Sequence, residues 1–327
     1  MKPNSSKQIL SLIQKLGSAT PGEMSRELGI STQAVHRQLL KLIDSGGIKK
    51  QGAPPFTAYT LKEDSKIFST NIPEELEETI NRHFCYFLPS GEELSGALGF
   101  NTFLKNTKQD QDVIGRVKEY ITIIETAEAF RDKSSLIDGT KKLHTTFSKS
   151  VVEKLYYSDF YGLPKYGKTR LGQYLLHGKT GQSKRLIKEI ANKTKAHISE
   201  IIKRHRIQAL SFAPHSIPRK ISFLKEYERL LDLGFPMIKL VKLFSGDVPI
   251  AQKSLSKLTE RVENAEKTIF VRDSHLSKYK RILLIDDAVG SGATINQTAL
   301  KLSTFGATVF GYAIVGSYKG FEVIKEV

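Results

Sequence analysis

Apolar side chains recur at helical spacing at the start of the chain and predict three helices. The first spans residues 5–16, and its apolar face is formed by Ile9, Leu10, Ile13 and Leu16. A short second helix spans residues 21–28 and starts at Thr20 or Pro21. Ser31 caps the third, whose inward face is predicted to be Val35, Leu39, Leu40 and Ile43. Strands at 48–51 and 56–61 then form a hairpin around Ala53-Pro54-Pro55.

The order of helix, helix–turn–helix and two-stranded wing resembles that of bacterial DNA-binding winged helices, and residues 1–62 are predicted to form such a domain. The N-terminal part of the third helix enters the major groove in that fold. The side chains suited to base edges or phosphates are Thr32, Gln33, His36, Arg37, Lys41, Lys49 and Lys50. Winged helices also serve as protein-interaction modules. Nine Lys/Arg against three Asp/Glu in residues 1–62 favour DNA, with RNA as the alternative.

A polar linker at 62–72 leads to a mainly helical segment, with helices predicted over 73–87, 92–104 and 110–131. Heptad-like spacing of apolar residues in the last of these predicts a packed or dimerising helix, which leaves a homodimer as one alternative. No motif between 73 and 150 carries chemistry. We therefore predict a helical connector over 73–150.

Strands and helices alternate from about residue 155, which predicts an α/β domain over 155–327 with a mostly parallel sheet. Helices are predicted over 182–206, over 221–233 and from Asn296 onwards, and strands over 207–212, 238–244, 282–285 and 308–315. Residues 161–206 hold twelve Lys/Arg and two Glu. Together with residues 1–62 they account for the whole net charge of +16, and this concentration implies a polyanionic partner.

The stretch 281–294, RILLIDDAVGSGAT, combines an apolar strand, two carboxylates and a turn of small residues. Ligands in open α/β sheets bind outside the carboxyl ends of strands. Backbone N–H groups of the turn, with a helix N-terminus behind them, favour an anion. Two carboxylates beside a phosphate cradle suit vicinal hydroxyls. A ribose 5-phosphate has both features.

This stretch resembles the phosphoribosyl pyrophosphate (PRPP) loop of type I phosphoribosyltransferases, which has four apolar residues, Asp-Asp, two small or apolar residues, Thr-Thr-Gly, a small residue and Thr. Asp286, Asp287, Gly292 and Thr294 match, whereas Gly290-Ser291 replaces Thr-Thr. The upstream spacing, which is similar to that of the ComF branch, is carried by Gln252, Arg261, Asn264 and Phe270. The four-cysteine zinc ribbon frequent in that branch is missing, and its Arg-Gly-Phe-Asn stretch is replaced around residues 221–223.

The resemblance implies a role for each part of the site. Asp286 and Asp287 would hold the ribose hydroxyls and stabilise the positive charge that develops in catalysis. The segment implied to hold the 5-phosphate is Ala288, Val289, Gly290, Ser291, Gly292, Ala293 and Thr294. Arg219 and Lys220 are the candidates for the pyrophosphate. Gln252 and Arg261 either close over the site or tie the preceding loop to the fold. Mg²⁺ is expected as a cofactor that arrives with PRPP, with no side-chain cluster for it.

Three functions remain open at this point. The first is a phosphoribosyltransferase coupled to a nucleic-acid-binding head. The second is a transcriptional regulator that senses PRPP without turnover, which the altered substrate-side stretch favours slightly. The third is an effector of a prokaryotic defence system. A charged-then-apolar leader and an apolar run of bilayer length are both missing, which predicts a cytoplasmic protein without a membrane partner.

Overall fold

The computed structural model describes residues 5–44, 47–61, 72–214, 221–244, 246, 248, 250, 252–272 and 276–318. The chain divides into two compact units, Met1–Thr70 and Asn71–Val327. The segments predicted separately at 73–150 and 155–327 therefore lie in the same unit. Among the described residues, no helix is both long and apolar enough to cross a membrane.

The first unit has the predicted order of helices and hairpin. Its elements are α1 (Ser5–Leu16), α2 (Pro21–Leu28), α3 (Thr32–Asp44), β1 (Ile48–Gln51) and β2 (Ala58–Leu61). A capping box starts α2: Thr20 Oγ1 accepts the Glu23 N–H at 3.2 Å, and the Glu23 carboxylate accepts the Thr20 N–H at 2.7 Å. Strand β2 begins two residues later than predicted, because the Phe56 N–H donates to the Ala53 carbonyl at 2.8 Å and closes the loop first.

The third helix buries only part of the face that was predicted, because Val35 and Leu39 are buried but Leu40 and Ile43 are not. Leu40 is 64% exposed and Ile43 is 36% exposed, so their predicted inward orientation was wrong. The helix instead buries Val35, Leu39 and Leu42, which are spaced by four and three residues. Leu40 consequently lies on the solvent side. Leu16, at the end of α1, is also exposed.

The second unit contains nine further α-helices among its described residues. They are α4 (Glu74–His83), α5 (Gly96–Asn106), α6 (Val113–Glu128), α7 (Thr140–Thr146), α8 (Arg170–Thr180), α9 (Lys184–His205), α10 (Phe223–Leu231), α11 (Leu258–Thr268) and α12 (Ala293–Ser303). The strands are β3 (Cys85–Phe87), β4 (Glu93–Ser95), β5 (Ile137–Asp138), β6 (Val152–Phe160), β7 (Gly162–Leu163), β8 (Gly167–Lys168), β9 (Ala209–Phe212), β10 (Met237–Ile238), β11 (Leu240–Lys242), β12 (Ile269–Val271), β13 (Arg281–Val289) and β14 (Thr308–Gly316).

A six-stranded sheet in the order β10-β9-β13-β14-β6-β5 organises this unit. Every neighbouring pair is parallel except β5 with β6, which confirms the predicted mostly parallel sheet. Side chains alternate between the two faces of β13. Ile282 and Leu284 pack into the core that contains α5, α6 and α12, whereas Leu283 and Ile285 pack into the core that contains α8, α9 and α10.

The predicted connector is built into this unit. Residues of α4, α5 and α6 share one apolar core with β6 and β13, and β5 adds an edge strand to the sheet. The helix predicted over 73–87 ends at His83, because Phe84 is extended and Cys85–Phe87 pairs with Glu93–Ser95 as a hairpin. The same pairing delays the next helix to Gly96. The strand predicted over 238–244 is two strands: β10 pairs with β9, whereas β11 leaves the sheet and pairs with β12.

Candidate functional site

The chain reverses direction across the sheet between β9 and β13. From β9 it continues through α10 to β10 on one side, and from β13 through α12 to β14 on the other. Helices α10 and α12 cover opposite faces. A reversal of this kind opens a crevice at the carboxyl ends of the two strands, where ligands bind in open α/β sheets.

Pairing between β9 and β13 stops just before the two carboxylates. The last bond joins the Ala213 N–H to the Ile285 carbonyl at 2.8 Å. Beyond Ile285, β13 pairs with β14 alone among the described strands. Asp286 and Asp287 therefore lie inside β13, whereas the strand was predicted to end at Ile285. No described strand pairs with the edge of β13 that faces β9 from Asp286 to Val289.

The turn after β13 presents the start of a helix to this crevice. Helix α12 begins at Ala293 rather than at Asn296 as predicted. Gly292 precedes it with φ +77°, a conformation that favours glycine, and as the N-cap residue it has no side chain that could accept a bond from the helix. The buried Ser291 hydroxyl approaches the Ala293 N–H at 3.4 Å. An uncapped helix N-terminus carries partial positive charge and binds anions.

The adjacent carboxylates Asp286 and Asp287 have different surroundings. Because neighbouring residues of a strand point to opposite faces, Asp287 lies on the face covered by α8, where its Oδ2 forms an ion pair with Lys179 Nζ at 2.7 Å. Asp286 lies on the other face. Burial, with a contribution from the charge of Asp287, raises the pKa of Asp286 to about 7. The Asp287 N–H, which donates to Asp286 Oδ1 at 2.8 Å, and the charges of Lys179 and Lys242 oppose that rise.

Lys242 brings a second ammonium group to the site from β11. Its Nζ donates to Asn264 Oδ1 at 2.9 Å. Burial lowers the pKa of Lys242 to about 8, against the opposing influence of Asp286. Neither Lys179 nor Lys242 was among the predicted site residues. Lys242 was one of two lysines in the strand predicted over 238–244, and Lys179 was one of twelve cations in its segment.

The remaining predicted residues of this site are placed as follows. Gln252 Nε2 donates to the Arg261 carbonyl at 2.7 Å, and the buried Arg261 donates through Nε to the Leu255 carbonyl at 2.8 Å. These bonds tie the 252–255 turn to α11, the second of the two roles considered for this pair. Arg219 and Lys220 lie outside the described residues. Among the residues that are described, no group of three or more His, Cys, Asp or Glu could hold a metal ion.

A cavity of about 970 Å³ adjoins the strand ends. It lies between β9, α10, β10 and β11, and its lining includes Ala213 and Pro214 after β9 and Lys242 on β11. Apolar side chains form much of its wall, with Lys225, Glu228 and Arg272 among the charged ones. Its volume is that of a pocket for a small organic molecule.

The predicted nucleic-acid-binding residues lie in the first unit and face solvent. Six of them are exposed: Thr32, Gln33, His36, Arg37, Lys41 and Lys50. Lys49 is half-buried on β1. Leu40 shares the exposed face of α3 with Gln33 and Arg37, because the three are spaced by four and three residues. An exposed apolar residue on such a helix suits the methyl group of thymine.

Comparison with known families identifies this first unit. Residues 4–49 match the family described as winged helix-turn-helix DNA-binding. No protein of curated function matches the chain. The chain thus carries an N-terminal winged helix-turn-helix DNA-binding domain, as predicted, and the predicted contacts from Thr32 to Lys49 lie within the match.

Proposed function

We propose that this protein is a DNA-binding regulator whose second unit binds a phosphorylated ribose, with PRPP as the leading ligand. One observation carries the proposal. The reversal between β9 and β13 brings two carboxylates and the N-terminus of α12 to the same strand end, where no described strand pairs with β13 on the β9 side. The DNA-binding domain at the N-terminus supports a regulatory role for this ligand.

The chemistry of the proposed site divides between its parts. The N-terminus of α12, with Ser291 and Thr294, would receive the 5-phosphate. Asp286 and Asp287 would accept hydrogen bonds from the ribose hydroxyls. Lys179 and Lys242 would supply positive charge for the pyrophosphate group. Arg219 and Lys220 were the residues predicted for this role from the sequence. Mg²⁺ would be held mainly by pyrophosphate oxygens, because it binds few protein carboxylates and keeps oxygen-rich ligands.

Calorimetry with the full chain tests the ligand. We expect PRPP with Mg²⁺ to bind more tightly than ribose 5-phosphate, and Asp286→Asn to weaken both because one acceptor of the ribose hydroxyls loses its charge. Asp132→Asn removes a carboxylate elsewhere in the same unit and is the matched control. Equal binding by wild type and Asp286→Asn would contradict the proposed site.

Coupling to DNA is a separate measurement. A duplex enriched from a random pool would be titrated by fluorescence anisotropy with and without saturating PRPP. Because binding couplings are reciprocal, a change in DNA affinity must equal the change in PRPP affinity when DNA is present. PRPP binding that leaves DNA affinity unchanged would refute the proposed regulatory role. It would still support the proposed ligand site.

Turnover as a phosphoribosyltransferase is the second candidate. The carboxyl of Asp286 and the ammonium of Lys242 both have pKa values shifted towards neutrality, which is typical of groups that exchange protons during a reaction. The adjoining cavity offers space for an acceptor. Release of pyrophosphate from PRPP with a panel of nucleobases, lost in Asp286→Asn, would establish turnover. PRPP binding without pyrophosphate release would support the regulator and contradict turnover.

A further inference from the structure

Helix α9 carries a row of lysines on its solvent face. Lys184, Lys188, Lys195 and Lys203 are exposed, and their spacing of four, seven and eight residues keeps them within about 100° around the helix axis. The uncharged residues on the same strip are the exposed Asn192 and Ser199. We call these six residues the α9 strip. From Lys184 to Lys203 it is about 28 Å long at 1.5 Å per residue.

Most of the positive charge of the α9 strip has no ion-pair partner within the described part of the chain, although the charge of Lys184 helps to lower the pKa of Glu226 on α10. No ion pair joins any of its four lysines to a carboxylate there, whereas the neighbouring Arg185 pairs with Glu93 and Arg204 with Asp132. The two acidic residues of α9, Glu189 and Glu200, are half-buried at the edge of the strip. Glu200 already pairs with Arg204 at 3.3 Å.

Neighbouring elements add little negative charge. Helices α8 and α10 flank α9. Glu226 of α10 pairs with Arg229 at 2.7 Å, and the described residues of α8 include no acidic side chain. Lysines left in this arrangement repel one another. A surface of this kind costs stability unless a polyanion covers it.

We propose that the α9 strip is a second DNA-binding surface, which contacts the phosphate backbone of duplex DNA held by the winged helix. Its length matches about eight base pairs at 3.4 Å per step. Lysine, asparagine and serine side chains are typical donors to phosphate oxygens, and they carry no base specificity. Because both surfaces belong to one chain, DNA bound by the first raises the local concentration of DNA at the second. This proposal does not depend on the ligand of the second unit.

Fluorescence anisotropy with the full chain tests it. The variant Lys184→Gln/Lys188→Gln/Lys195→Gln/Lys203→Gln is compared with a control that removes four other exposed lysines, Lys118→Gln/Lys133→Gln/Lys141→Gln/Lys278→Gln. The probe is a mixed-sequence 40-base-pair duplex. Each lysine that contacts phosphate contributes about 0.9 to the slope of log affinity against log salt.

We expect the strip variant to lose at least tenfold in affinity at 0.1 M salt and to flatten the salt slope by about 3 to 4. Relative preference among DNA sequences should stay unchanged, because phosphate contacts carry no sequence information. The control variant should lose less than threefold. Equal affinities and slopes for the two variants would overturn the proposal.

A labelling experiment on the wild type provides an independent readout. An amine-reactive reagent would modify Lys184, Lys188, Lys195 and Lys203 without DNA and be excluded when DNA is bound. Labelling that is the same with and without DNA would overturn the proposal. So would a strip variant that keeps its DNA affinity but loses binding to phosphatidylserine vesicles, because the partner would then be a membrane surface.

Discussion

The charged carboxylate of Asp286 should destabilise the folded second unit at neutral pH. We therefore expect Asp286→Asn to raise the free energy of unfolding. Burial, followed by the charge of Asp287, raises the pKa of its carboxyl from 3.8 to about 7. At neutral pH the folded protein must hold a charge that the unfolded chain holds more easily. Asparagine has nearly the same shape without the charge.

The size of the effect follows from the shift in the pKa. A rise of about three pKa units corresponds to about 4 kcal/mol at 1.36 kcal/mol per unit, which is an upper limit. Asp286 keeps part of its surface in solvent, which reduces the cost. Its loss also removes the carboxylate charge that raises the pKa of the half-buried Lys242. We expect a net gain of about 1 to 2 kcal/mol at pH 7.5.

The dependence on pH has a definite sign. A carboxyl whose pKa is higher in the folded state binds more protons there, so stability falls as pH rises from about 4 to about 7. Asp286→Asn removes this loss of stability, and the variant's advantage over wild type should disappear near pH 4.

Asp132 provides the opposite case. Burial raises the pKa of Asp132, but Arg204 and the N–H groups of Leu136 and Ser134 outweigh burial and lower it. Asp132→Asn should destabilise the protein at pH 7.5 and matter less in acid.

Urea unfolding followed by tyrosine fluorescence measures these differences. The chain has no tryptophan, and eleven of its twelve tyrosines lie beyond residue 70, so the signal reports the second unit. An Asp286→Asn variant that is less stable than wild type at pH 7.5 would refute the reasoning. A gain that is the same at pH 4.5 and pH 7.5 would do so as well, because it would not come from titration.

Four further substitutions test other parts of the structure. Gly292→Ala places a side chain at φ +77°, so we expect a loss of about 1 to 2 kcal/mol in urea and weaker ribose 5-phosphate binding by calorimetry. Leu40→Gln should change the free energy of unfolding by less than about 0.5 kcal/mol and yet weaken DNA binding, because Leu40 is exposed. Leu39→Gln should unfold the first unit, because Leu39 is buried. Equal effects of the two variants on stability would contradict the orientation of α3. Gly316→Ala puts a Cβ atom 2.7 Å from the Tyr157 ring, so circular dichroism melts should show a loss of about 1 to 3 kcal/mol.

Local patterns were enough to predict the first unit. The bounds of α1 and α2 follow directly from apolar spacing and from the capping and turn residues around them. The error on Leu40 and Ile43 has a simple cause. In the run Leu39-Leu40-Lys41-Leu42-Ile43, helical spacing alone does not decide which apolar residues face inward. The packing of α1 and α2 against α3 decides it.

Long-range pairing explains the errors in the second unit. Strand β6, Val152–Phe160, was not predicted, because its aromatic and polar residues do not form a continuous apolar run. It nevertheless lies beside β14 over its whole length. The break between Ile238 and Leu240 depends on two different partners, β9 and β12. Lys179 reaches Asp287 only through the packing of α8 on the sheet. The local sequence predicts none of these contacts, because each depends on residues far apart in the chain.

The edge of β13 beyond its pairing with β9 explains how two adjacent aspartates could bind one ligand. Successive side chains of a strand point to opposite faces, so a ligand lying on either face would reach only one carboxylate. A ligand lying across the edge of the strand can approach both. A neighbouring strand would occupy that edge, and among the described residues the pairing of β9 with β13 ends at Ile285, one residue before Asp286. A strand β9 longer by two residues would cover the edge and leave Asp286 and Asp287 on separate surfaces. The length of β9 is therefore as much a condition for the proposed ribose site as the carboxylates themselves.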